Sequence, residues 1–211
     1  GSTICLITGD QVTPARTHPP IKHLTAVGGA KGGDVLVAFD KDAFESLGFR
    51  QSLNASMSEE TAAAYAAALN HLLESRCVRL GNTLATWWFT GEENIPENDE
   101  VMAWFSEPPE QTAGAAERRA HSLLTAIRTG QRDDLAGSRF VALMLSGAAG
   151  RVMVREVMQG SFEDLAANTE SWFRDLGIIA SDGKSQATDP KFSTLAASLV
   201  RNDRNKSITE V

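Results

Sequence analysis

Residues 35–73, VLVAFDKDAFESLGFRQSLNASMSEETAAAYAAALNHLL, decide how this chain is read. The apolar run Val35–Phe39 predicts a short strand, bounded before it by a glycine-rich stretch. A loop bearing aromatics and glycine follows and ends in Arg50-Gln51-Ser52-Leu53-Asn54. Ser56, with Glu59 three residues on, has the spacing of a capping box and predicts a helix from there to about Ser75. Tyr65, Leu69, Leu72 and Leu73 recur at helical spacing and predict its buried face. The stretch presents a polar loop on a rigid platform, and no catalytic constellation lies within it.

Toward the N-terminus, Thr3–Ile7 and Gln11–Ala15 flank the turn signal Thr8-Gly9-Asp10 and predict a hairpin. Two prolines in the Arg16–Lys22 segment fix an extended path and exclude helix. Gly28–Gly33 reads as a loop. Toward the C-terminus, Cys77–Leu80 and Thr83–Phe89 predict a second hairpin across Gly81-Asn82, its second strand carrying Trp87, Trp88 and Phe89 on both faces. A helix is expected over Gly114–Arg128, with Leu123, Leu124 and Ile127 inward and Gly130 closing it. A third hairpin joins Arg139–Leu145 to Arg151–Met158 through residues 146–150. Ser161 and Asp164 cap a helix ending near Leu176-Gly177, and Asp189-Pro190 opens a last one. Hairpins interspersed with helices predict an α+β fold, not a doubly wound sheet.

Composition narrows the function classes. The net charge of −7 disfavours uniform coating of nucleic acid, but the charge is unevenly placed. Residues 1–51 hold five basic and five acidic side chains, and residues 136–211 hold nine of each. Residues 52–135 hold six and thirteen, and supply the whole excess. Much of that acid lies between Glu92 and Glu110, a proline-bearing stretch read as a solvated loop that repels phosphate. Any nucleic-acid surface is therefore expected on the neutral ends. No apolar run approaches the roughly 20 residues of a membrane span. Cys5 and Cys77 lack zinc spacing and read as two small buried hydrophobes of a reducing, cytoplasmic environment. Gly1-Ser2 reads as a cloning scar, and residues 3–211 as an internal segment of a larger protein, with a possible subdivision into 3–110 and 111–211.

The motifs give little to an enzyme. Gly28-Gly29-Ala30-Lys31-Gly32-Gly33 resembles a phosphate loop, but Asp34 follows its last glycine where a Lys is required. Lys31 then reads as a loop lysine or as a contact to a nucleic-acid backbone. His18 and His23 lack further zinc ligands, and Ser146-Gly147 lacks the preceding glycine of a nucleophile elbow. A small hydrolase using His18 has no visible nucleophile. We expect a chain without catalysis, metal or cofactor.

Binding residues are better indicated. On a strand, Arg151 and Arg155 share a face while Val152 and Val154 turn to the core, which sets the arginines about 13 Å apart at about 3.3 Å of rise per residue. That separation spans two phosphates, and the guanidinium fork suits them; the alternative is a solvated strand face. Gln51 and Asn54 carry groups that match base edges or sugars, and Arg50 suits a phosphate. Equally, Asn54 suits a turn-stabilising contact to nearby backbone.

The chain resembles the large subunit of the type I-C CRISPR interference complex, the CRISPR-associated Csd family. Five collinear pieces carry the resemblance: Cys5-Leu6-Ile7-Thr8-Gly9; His18-Pro19-Pro20-Ile21-Lys22; Phe39 to Asn70; Leu143–Ser146 with Arg151 and Val154-Arg155; and Ser161 to Ile178. Asp40 stands where that family usually has Asn, and Ala148 likewise. The resemblance implies a non-catalytic subunit of a surveillance complex (Cascade) in antiviral defence. It would bind the 5′ end of CRISPR RNA, help recognise the protospacer-adjacent motif in target DNA, contact other subunits and help recruit a helicase-nuclease. Arg16, His18, Lys22, Lys31, Arg50, Gln51, Asn54, Arg151 and Arg155 are the residues expected to face nucleic acid or a neighbour. The alternative is a purely structural scaffold or protein-interaction domain without nucleic-acid contacts.

Overall fold

A computed structural model describes residues 1–45, 47–90, 118, 121–122, 124–125, 128–129, 138–176, 179 and 183–184. The fold is α+β, as the hairpins and helices predict. Strands β1 (Thr3–Ile4) and β2 (Gln11–Val12) form a two-stranded antiparallel sheet. A four-stranded sheet has the order β3 (Cys77–Leu80), β4 (Thr83–Thr90), β5 (Arg139–Ala148), β6 (Arg151–Ser161). Helices α1 (Glu59–Ser75) and α2 (Phe162–Asp175) and 3-10 turns at Thr25–Val27, Asp42–Glu45 and Gln51–Ala55 complete the described elements. The acidic loop at 92–110, Gly130 and the last predicted helix lie outside the described residues. In the stretch expected to be helical before it, residues 118, 121, 122, 124, 125 and 128 are helical and Leu124 is buried.

The chain divides into two compact units, Gly1–Trp87 with Ala142–Val157, and Trp88–Val141 with Met158–Val211. In the first unit, the predicted opening hairpin forms but shrinks to two residues per strand, Thr3 opposite Val12 and Ile4 opposite Gln11. Its backbone groups go elsewhere. The Leu6 N–H donates to the Ser56 carbonyl at 2.9 Å, and the Ala15 N–H donates to that of Met57 at 2.7 Å.

Those same residues explain a correction at α1. Its N-cap is Ser58, whose hydroxyl accepts from the Thr61 N–H at 3.0 Å, and not Ser56 with Glu59. Ser56 is buried, and its hydroxyl donates to the Ile4 carbonyl at 2.8 Å. The buried face of α1 is Ala62, Ala66, Leu69 and Leu73, the alanines permitting close approach, while Tyr65 and Leu72 are half-buried. Leu69 and Leu73 join Ile21, Leu24, Val27, Leu84, Leu145 and Val152 in the core. Asn70 clamps the proline-bearing segment to the helix: its carboxamide accepts from the Lys22 N–H at 2.6 Å and donates to the Pro20 carbonyl at 3.3 Å.

The predicted strand over Val35–Phe39 does not form. Asp34 makes an isolated bridge to Ile21 and Val35 one to Arg151, after which the chain bends away. The bridge to Arg151 is parallel, with the Val35 N–H donating to Gly150 at 2.9 Å and the Val152 N–H donating to Val35 at 3.1 Å. An apolar run found a sheet edge for one residue only. Because this cover leaves β6 after Val152, Val154 is not in the core as expected but 47% exposed.

The β3–β4 hairpin turns at Gly81-Asn82 as predicted, with Gly81 at φ 60°. The third hairpin also forms, but its turn is tighter than residues 146–150. Ala149 (φ 50°) and Gly150 (φ 84°) make the two-residue turn that matches strand twist. Strand β5 therefore runs on to Ala148, and Gly147 packs against the backbone of Gly28 and Gly29. The glycine-rich loop is organised from within. The fully buried Asp34 carboxylate accepts the Ala30 N–H through both oxygens, at 3.1 and 3.2 Å.

In the second unit, Phe89 meets Phe162 edge-on at 5.0 Å and Phe140 at 5.7 Å. The predicted capping box at α2 is present in both directions between Ser161 and Asp164. Arg128 and His121 pair with Glu163 and Glu170, each at 2.8 Å. Among the described residues no helix is long and apolar enough to cross a membrane.

Candidate nucleic-acid interface

All nine residues singled out from the sequence fall in the first unit. The segment Arg16–His18, the bent chain Val35–Asp42, and Glu45 with Gln51-Ser52 enclose a cleft of about 350 Å³. Arg16, His18 and Gln51 line it directly. They are brought there because the chain bends at Arg16-Thr17, His18 is tied to Tyr65 of α1, and Gln51, which opens the 3-10 turn Gln51–Ala55, bonds to Arg16.

The Arg16 Nε donates to the Gln51 Oε1 at 3.0 Å, and both side chains are exposed. Gln51 occupies the left-handed region at φ 50°, which L side chains enter at a cost of about 1–3 kcal/mol. Such strain persists where surrounding structure over-determines it. Arg50 is exposed and sits 3.7 Å from Glu45, a pair of little energetic weight at the surface. His18 is buried. Its Nδ1 and the Tyr65 hydroxyl are 2.9 Å apart, and its Nε2 has no partner among the described residues. Burial pushes the His18 pKa down and that of Tyr65 up, so the pair is neutral at physiological pH.

Arg151 reaches the cleft indirectly. Its Nη2 is ion-paired with Asp40 and its Nη1 donates to the Ala38 carbonyl at 3.4 Å, two residues of the cleft wall. The Arg151 guanidinium holds the Asp40 carboxyl below the usual carboxylate range. Arg155 instead lies against β5, its Nε donating to the Ser146 hydroxyl at 2.8 Å. The two arginines expected to act as a pair thus serve different partners. Asn54 donates to the carbonyls of Phe49 and Gln51, at 3.4 and 3.2 Å, the turn-stabilising alternative. Lys22 and Lys31 are exposed and stand apart from the cleft.

Sequence reasoning missed Asp40, Phe39 and Tyr65. Phe39 lines the cleft and is braced edge-on by Phe44 at 5.5 Å and 87°. The departure at Asp40 was visible, but its partner lies 111 residues away. Two carboxylates of the cleft, Asp40 and Glu45, are matched by Arg151 and Arg50, which leaves Arg16 and Lys41 against Asp42. The cleft suits a polar, flat or weakly anionic ligand, not a bare polyphosphate.

No curated protein matches this chain. The family model described as CRISPR-associated protein (Cas_Csd1) matches residues 1–211, and the chain belongs to that family.

Proposed function

We propose that this chain is a non-catalytic part of the large subunit of a type I-C, RNA-guided surveillance complex. In this reading it meets the 5′ end of the CRISPR RNA, contributes to recognition of the protospacer-adjacent motif in target DNA, and contacts neighbouring subunits and the recruited helicase-nuclease in the cytoplasm. Guide pairing reads the target, while protein reads a short motif and backbone shape. Besides the family, the observation that carries the reading is the convergence of Arg16, His18 and Gln51 on one cleft with Arg50 beside it. Exposed arginines beside a carboxamide supply phosphate contacts and base-edge hydrogen bonds together.

The scaffold reading is favoured at Arg151, Arg155 and Asn54, because each donates to a group of the fold itself. The test is reconstitution of the full subunit, wild type and Arg16→Glu/Arg50→Glu, with guide RNA and partner subunits. We expect the folded variant to lose assembly on size exclusion or target binding by mobility shift. Wild-type behaviour in both would overturn the reading.

A further inference from the structure

We propose that the cleft between Arg16–His18 and Gln51 binds one unstacked nucleobase of a single-stranded nucleic acid. The inference rests on the nucleic-acid reading above and adds what the cleft would hold. At about 350 Å³ the cleft lies at the small end of ligand-site volumes, enough for one nucleotide and too small for a duplex. Val35, Val37 and Phe39 give it an apolar lining suited to a flat ring. Phe39 is held by its edge-on contact with Phe44, as a stacking surface must be.

The hydrogen-bonding groups complement a base edge. Gln51 accepts from Arg16 through Oε1, which leaves its amide N–H groups to donate. His18 lines the cleft with one ring nitrogen committed to Tyr65 and the other buried without a partner among the described residues. Buried polar nitrogens are nearly always satisfied, and an unsatisfied one on a residue of the cleft wall is a group that a bound ligand would complete. The neutral imidazole offers a donor or an acceptor there, according to which way the Tyr65 hydrogen bond runs. Arg16 beside it matches the attached phosphate. The paired carboxylates, Asp40 with Arg151 and Glu45 with Arg50, spare that phosphate their repulsion. An aromatic face, two base-edge groups and one net positive charge, Arg16 and Lys41 against Asp42, make a mononucleotide-sized site.

The test is titration of the 15N-labelled chain with the four nucleoside 5′-monophosphates and with ribose 5-phosphate, which lacks only the base. We expect amides of residues 16–18 and 50–52 to shift, with at least one nucleotide binding about five-fold or more tighter than ribose 5-phosphate. Phe39→Ala should erase that difference. Gln51→Glu, a surface change that leaves the apolar lining intact, should weaken it. Single-stranded RNA and DNA decamers of one sequence run as competitors, and whichever displaces the nucleotide identifies the source strand. If the decamers bind but nucleotides and ribose phosphate behave alike, the cleft is not a base site and the broader reading stands. If neither decamer nor nucleotide binds, the proposal and the reading under it both fall.

Discussion

The Arg151 guanidinium, at the start of β6, is ion-paired with Asp40 and hydrogen-bonded to the Ala38 carbonyl, so one side chain fixes both ends of a three-residue wall. The apolar run that failed to become a strand is held by a side chain instead of a ladder. Arg151→Gln should leave the denaturation midpoint nearly unchanged, because exposed ion pairs contribute little. The 15N relaxation order parameters of residues 36–41 should nevertheless fall. Asp40→Asn, which keeps an acceptor, should lower them less.

The same pair has a pH signature. The folded Asp40 pKa is depressed, so its contribution is present above the ordinary carboxylate pKa and is lost as pH falls through the folded value. The backbone order parameters at 36–41 should therefore fall toward those of Arg151→Gln only in acid, and a pH series of 15N relaxation checks this.

His18 should give stability a second slope. Its folded pKa lies below the unfolded value of about 6.5, so below that pH the unfolded chain takes up a proton that the folded chain refuses. Stability should fall as pH drops from about 6.5 toward the folded pKa. Urea midpoints at several pH values should show it, and His18→Gln should flatten the slope.

The caps are separable. Ser58→Ala should cost about 0.5–2 kcal/mol by urea denaturation, the usual range for a lost N-cap. Leu73→Ala, deep in the core, should cost about 2–5 kcal/mol.

Binding of single strands should be weak and salt-dependent. Each phosphate contact contributes about −0.7 to the slope of log affinity against log salt. Arg16→Gln should make that slope shallower by about that amount, whereas Arg155→Gln, whose guanidinium is turned to Ser146, should not. Mobility shifts at several salt concentrations decide it.

Local chemistry was legible wherever the partner was near in sequence. Gly81-Asn82 and the Ser161–Asp164 box both declare themselves within a few residues, and both formed. The helix over residues 59–75 was legible too, though its cap was displaced because Ser56 is claimed by Ile4, 52 residues earlier. The cleft was half legible. Arg16, His18 and Gln51 were visible as polar residues in loops, but not that they face one another. Phe39, Asp40 and Tyr65 take their roles from partners that no periodicity announces, Arg151 for Asp40 and His18 for Tyr65. The Val35–Phe39 run failed for a related reason. Its composition suits a strand, but whether it became one depended on how much free edge β6 offered it.

The contact of Gly147 with Gly28 and Gly29 bears on how this sequence changes over time. A side-chain carbon at Gly147 would collide with the backbone of Gly29, and one at Gly28 would come within 2.8 Å of the Gly147 carbonyl oxygen. Every single-nucleotide change to the first or second base of a glycine codon adds at least that carbon or stops translation. Gly147 therefore has no single-base route to another residue that fits, and a lineage can alter this corner only by moving the glycine-rich loop first.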